Sequence, residues 1–200
     1  CACRGTAGLA HVSCLAEQAK ILGAEAAENH LGSKACNSRL QRWHHCNSCE
    51  QEYPGAVLCA LGWACWKTYL GRPETNWARV RAMSVLGNGL FDANYHEDAL
   101  TVRETTLATM RRTGALEEQV LAVQANLATT YAKLGRKDEA MRIEKDVYSG
   151  WLRLNGEEHK KTLTAANNYA CSLFESQALR RNQGTVAQND ARGATCFRRE

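Results

Sequence analysis

Two cysteines with one residue between them, Cys1 and Cys3, open the chain; seven residues separate Cys3 from His11, and two separate His11 from Cys14. A second pair, Cys46 and Cys49, comes later with two residues between them. Thiolates and an imidazole at such intervals suit Zn²⁺, which takes sulfur and nitrogen ligands tetrahedrally and closes structural sites with four protein groups. Each short pair folds into a tight turn that aims two sulfurs at one point. The metal then joins turns distant in sequence and contributes folding free energy outright. Eight of the ten cysteines lie in the first 65 residues. A disulfide framework is the competing use of an even cysteine count, but it belongs to much shorter secreted scaffolds. The chain shows no charged-then-apolar leader, so it is expected to be intracellular and cytoplasmic.

The order C-x-C-x7-H-x2-C and then C-x2-C resembles the RING-CH (RING-variant) zinc finger. The likeness begins at the third ligand of that family's pattern, and the preceding C-x2-C has no counterpart here. The resemblance implies a cross-brace in which Cys1, Cys3, Cys46 and Cys49 form one complete zinc site. His11 and Cys14 would be the downstream half of a second site, so that this sequence holds one ion and a parent protein two. Trp43, three residues before Cys46, resembles the large apolar residue that commonly precedes the last cysteine pair. It either packs the finger core or faces a partner, and Leu15 carries the same two readings. The other candidate ligands are Cys36, His44, His45, Cys59 and Cys65. His44 and His45 are expected as exposed polar residues, and Cys59 and Cys65 as small core hydrophobes of an apolar helix.

The elements that must position these ligands are partly legible. Leu15 to Glu28 is rich in strong helix formers, which agrees with a short helix after the sixth ligand of the family pattern. Thirty-one residues separate Cys14 from Cys46, a long interval for such a finger. Residues 29–33 and Cys36 read as a loop-like insertion. Ala56 to Trp66 is an apolar run of eleven residues before Lys67, far short of the roughly 20 needed to span a membrane. It is expected to pack the finger against the C-terminal half of the chain, with Trp63 and Trp66 on one face.

From about Val80 the sequence repeats itself. Residues 85–100 align with 126–141, and a third copy begins at Asn168. Leu127, Tyr131 and Leu134 recur at helical spacing, and Gly135 stands where a helix ends in the left-handed region. Asn94 holds the equivalent place in the first copy. Asp138 and Glu139 supply negative charge to the next helix start. The words Asn-Leu-Ala-x3-Tyr-x2-Leu-Gly-Arg-x-Asp-Glu-Ala and Thr-Leu-x-Ala-Ala-Asn-Asn-Tyr resemble kinesin-light-chain-like tetratricopeptide repeats. That likeness implies stacked helix pairs which bind peptides or partner proteins on one face. The helices are expected at 79–93, 97–113, 117–134, 137–154 and 160–176.

The net charge of +4 says little once divided. Residues 71–175 carry fourteen basic and fourteen acidic side chains, and the segment from Ser176 holds five arginines against two acids. No folded element presents a basic stripe, so nucleic acid is not an expected partner. G-x-S-x-G, G-x4-G-K-[ST] and H-E-x-x-H are all absent from the sequence, and no catalytic nucleophile is assigned.

The expected fold class is mainly α: a partial RING-like finger over 1–54, an apolar connecting helix over 55–72, an α-solenoid of tetratricopeptide-type helix pairs over 73–177, and a disordered basic tail over 178–200. The resemblance implies a RING-type ubiquitin ligase. Its finger would dock a ubiquitin-conjugating enzyme and orient the thioester, while the repeats recruit a substrate peptide. The alternative is a non-catalytic adaptor stapled by zinc.

Overall fold

The computed structural model describes residues 10–29 and 32–177. Cys1, Cys3 and the segment 178–200 lie outside the described residues. Within the described residues eight α-helices run in order: α1 (Val12–Glu28), α2 (Ser33–Leu40), α3 (Gly55–Tyr69), α4 (Trp77–Asp92), α5 (His96–Arg112), α6 (Glu117–Lys133), α7 (Lys137–Asn155) and α8 (160–177). A 3₁₀ turn, Gln41–Trp43, extends α2. Among the described residues there is no strand, only an isolated antiparallel bridge between His45 and Glu52. None of the helices described is long and apolar enough to cross a membrane.

The repeat helices stop where the sequence says they should. Asn94, Gly114, Gly135 and Gly156 all have φ between 66° and 78°. At the end of α4 the Tyr95 N–H donates to the Leu90 carbonyl at 2.9 Å and the Asn94 N–H to that of Phe91 at 3.0 Å. This is the 6→1, 5→2 pair of a Schellman cap, which satisfies carbonyls the helix itself leaves open. The same pair closes α5, through Ala115 and Gly114, and α6, through Arg136 and Gly135. Asn76 caps the start of α4, its side chain accepting from the Ala78 and Arg79 N–H groups. Glu97 and Asp98 begin α5 while Arg111 and Arg112 end it, each charge on the favourable side of the helix dipole.

Two expectations are corrected. Residues around Cys36 are not a loop: Ser33–Leu40 is helical, tied back to α1 by an Arg39–Glu25 ion pair of 2.8 Å. Helix α3 ends at Tyr69 rather than continuing to 72, and it packs lengthwise on α4 as a member of the stack. Two glycines permit the approach. A Cβ at Gly89 would sit 2.7 Å from the Leu58 carbonyl oxygen, and one at Gly62 would sit 2.9 Å from the Leu86 Cα. The apolar core runs without a gap from Ala19, Leu40 and Trp43 through Cys65 and Tyr69 to Ala78, Ala82 and Val85. A second cluster, with Leu107, Val123, Leu127 and Ala140, fills the repeats.

Candidate functional site

Cys46 and Cys49 occupy one tight turn. The Cys46 N–H donates to the Gln51 carbonyl at 2.8 Å, and the Glu50 N–H returns to the Cys46 carbonyl at 3.0 Å. Glu50 takes φ 56° to close it. The Ser48 N–H points at the Cys46 Sγ at 3.4 Å. Two sulfurs on one short turn supply half of a tetrahedral sulfur site. Cys46 is buried and Cys49 half-buried, in a cluster with Tyr53, Leu58 and Leu61. Burial, then the neighbouring Cys46 sulfur, pushes the Tyr53 hydroxyl pKa up.

The start of α1 enters the same cluster, since Val12, Leu15 and Ala16 pack against it. The first turn of α1 therefore lies beside the cysteine turn. His11 and Cys14 are exposed, one turn of backbone apart, with the Cys14 N–H on the His11 carbonyl at 3.0 Å. Among the described residues no three His, Cys, Asp or Glu side chains converge as a metal group.

The remaining candidates take other roles. Trp43 is 1% exposed and meets Tyr69 edge-on at 6.5 Å between ring centroids, so it is core and faces no partner. Leu15 is half-buried in the cysteine cluster. His44 and His45 are half-buried, not exposed. Burial, then the charges of His45 and Arg81, lowers the His44 pKa to about 4, so it is neutral in the fold. Cys65 is fully buried and its thiol is pushed up by that burial, as expected for a core residue, whereas Cys59 is only half-buried.

A groove of about 860 Å³ lies on the repeat half. Helix α4 lines it with Trp77, Arg81, Ser84 and Asn88, spaced as one stripe of a helix face. Helix α6 faces them with Gln119 and Asn126. Beneath, Arg103 of α5 is buried. Its Nη1 donates to the Asn126 carbonyl at 2.7 Å and to Thr130 Oγ1, its Nη2 to Asn88 Oδ1 at 3.1 Å, and the guanidinium lies 4.7 Å from the Phe91 ring centroid. Burial lowers its pKa to about 10, which leaves it charged at neutral pH. Sequence reasoning missed both the groove and Arg103. The i, i+4, i+7, i+11 stripe of α4 was the available signal for the groove, but nothing in the sequence marked Arg103 as internal.

The tetratricopeptide repeat family matches residues 120–159. These residues are α6 from its first turn, α7 and the turn after it. The helical half is a tetratricopeptide-like solenoid. Solved structures share this fold. BtubC (BKLC) from P. vanneervenii superposes with a TM-score of 0.58 at 14% identity, over 86% of this chain and 68% of that one. The nearly identical TPR-like repeats of a kinesin light chain-like protein from Podosopora anserina give 0.51 at 18% identity, and a single-substitution variant of them gives 0.52 at the same identity. Both cover 96% of this chain and 100% of the other. No curated protein matches the chain. In tetratricopeptide terms α4/α5 and α6/α7 are successive helix pairs, α8 opens a third, and the groove runs between the first helices of neighbouring pairs.

Proposed function

We propose that the chain is a protein-interaction module: the tetratricopeptide-like array recruits a partner segment in its groove, and the N-terminal half is a zinc-stapled finger of RING-CH type. The observation that carries the finger reading is the Cys46–Cys49 turn, with its amide-to-sulfur bond and with α1 starting beside it. Cys1, Cys3, Cys46 and Cys49 would hold one Zn²⁺, and His11 with Cys14 would be half of a second site. The metal's contribution is structural: it ties the turn to the residues before α1.

The finer reading is a ubiquitin-protein ligase. The finger would dock a ubiquitin-charged conjugating enzyme, the array would hold the substrate, and catalysis would consist of orienting the thioester toward a substrate lysine. Incubation with activating enzyme, a broad panel of conjugating enzymes and ubiquitin tests it, and chain formation is the expected result. Failure across the panel removes the ligase reading and leaves the adaptor. The burial of Trp43, which takes one candidate contact residue into the core, favours that second reading.

A further inference from the structure

We infer that the cleft between α7 and α8 binds a small primary amine with an apolar body, its ammonium held by the Glu144 carboxylate. The cleft's main walls are α7 and α8, and Ala125 of α6 closes it at the back. Lys161 stands between this cleft and the larger groove, lining both. The inference does not depend on the partner-binding reading, which uses the groove alone.

Glu144, Val147 and Trp151 fall at i, i+3 and i+7 of α7 and so share one face of that helix. From Glu144 to Trp151 the face runs roughly 10 Å, at the helical rise per residue. Across from it lie Thr164, Ala165 and Asn168 of α8. The space between them is about 380 Å³, the size of a small-molecule site. Val147, Trp151 and Ala165 are themselves buried, which makes the middle of the cleft apolar.

The polar groups set the charge of the occupant. Glu144 is the one carboxylate lining the cleft among the described residues. Its Oε2 is buried and has no hydrogen-bond partner among them. A buried acceptor left open costs free energy that a donor would recover. Burial raises the Glu144 pKa, and the neighbouring Ser172 hydroxyl offsets part of the rise. An ammonium brings three donors together with the compensating charge.

Two lysines also line the cleft, but at its other end. Lys161 is already engaged: its Nζ lies 3.2 Å from the Glu118 carboxylate and 4.3 Å from the Trp151 ring centroid. Lys160 is exposed and solvated. Both stand in the first turn of α8, whereas Glu144 neighbours Ser172 towards its end. The cleft is therefore polarised, with its carboxylate remote from its cations. Because Lys161 takes a face of Trp151, the ring is not free to cage a quaternary ammonium. A primary amine, which can donate to Oε2, is the better fit.

The test titrates the whole chain with phenethylamine and follows the backbone amides by NMR. Saturable shifts confined to 144–151 and 161–168 are expected. Phenethyl alcohol and phenethyltrimethylammonium should bind about tenfold more weakly, since neither makes the charge-assisted hydrogen bond. Glu144→Gln keeps the shape of the cleft. It should weaken the amine about tenfold and leave the alcohol unchanged. Ala125→Phe should fill the cleft from the back and abolish binding of all three probes. Circular dichroism confirms that each variant is folded. Shifts that never saturate, or that scatter over other acidic surfaces, would overturn the site. Equal binding of the amine by the wild-type chain and Glu144→Gln would overturn the role of the carboxylate. Neither failure touches the partner-binding reading, which is tested on the groove.

Discussion

Arg103 is a buried cation hydrogen-bonded to neutral acceptors, and the two ways of removing it should differ. Arg103→Ala takes the donors from the Asn126 carbonyl and the Asn88 side chain and also leaves a void between three helices. A loss of about 3 kcal/mol is expected, because both the stranded acceptors and the cavity are costly. Arg103→Met keeps much of the volume and removes the desolvated charge, so it should cost about 1 kcal/mol. Urea unfolding of the two variants checks the order, and equal losses would mean that hydrogen bonding alone carries the role. Gly87 belongs to the same arrangement, since a Cβ there would lie 3.2 Å from the Arg103 Cγ.

At the level of elements, the α3–α4 crossing is the tightest constraint. Gly89→Ala should destabilise by about 1–3 kcal/mol, although alanine is the better helix former by about 1 kcal/mol. Thermal unfolding against Gly71→Ala, where nothing lies within 4 Å of the new Cβ, isolates the crowding. A stabilised Gly89→Ala would refute the close approach. The helix ends were legible because their signals are local. Asn94, Gly114 and Gly135 each had to adopt positive φ, and the residues after them closed the caps. The boundaries of α4 to α8 fell within two residues of expectation. The interior of the N-terminal part was less legible, because burial of Trp43, His44 and His45 depends on where α3 and α4 lie, and the spacing of cysteines says nothing of that. The insertion around Cys36 misled for a related reason: Ser33, Cys36, Asn37 and Ser38 are weak helix formers, and the helix is fixed by α1 and the shared core.

Across the whole molecule, the shared core decides how far a loss of metal would spread. Purified under reducing conditions, the chain should carry close to one zinc, and Cys46→Ser should release it. Chelation should then deprotect the amides of the cysteine turn, α2 and the start of α1, where Cys46, Cys49 and Leu15 pack together. Helices α6 and α7 should keep their slow exchange, because their core of Val123, Leu127, Tyr131 and Ala140 is drawn from neighbouring repeats. Hydrogen exchange with and without chelator reads both regions at once. Uniform deprotection would make finger and array a single cooperative unit, which the continuous core from Trp43 to Val85 permits.

The capped helix ends also bear on how the chain acquires its shape. Each cap is closed by residues close together in sequence, and each repeat helix packs on the next one along the chain, so the repeats can assemble pair by pair as synthesis proceeds. Low contact order of this kind favours fast folding. The cysteine turn has no such shortcut, because its cluster waits for α1, the turn itself and α3 to be present together. Helix α3 then stands at a junction in time as well as in space: its glycine-lined face cannot close until α4 has emerged. The N-terminal part would thus reach its final form only after the first repeat helix has left the ribosome.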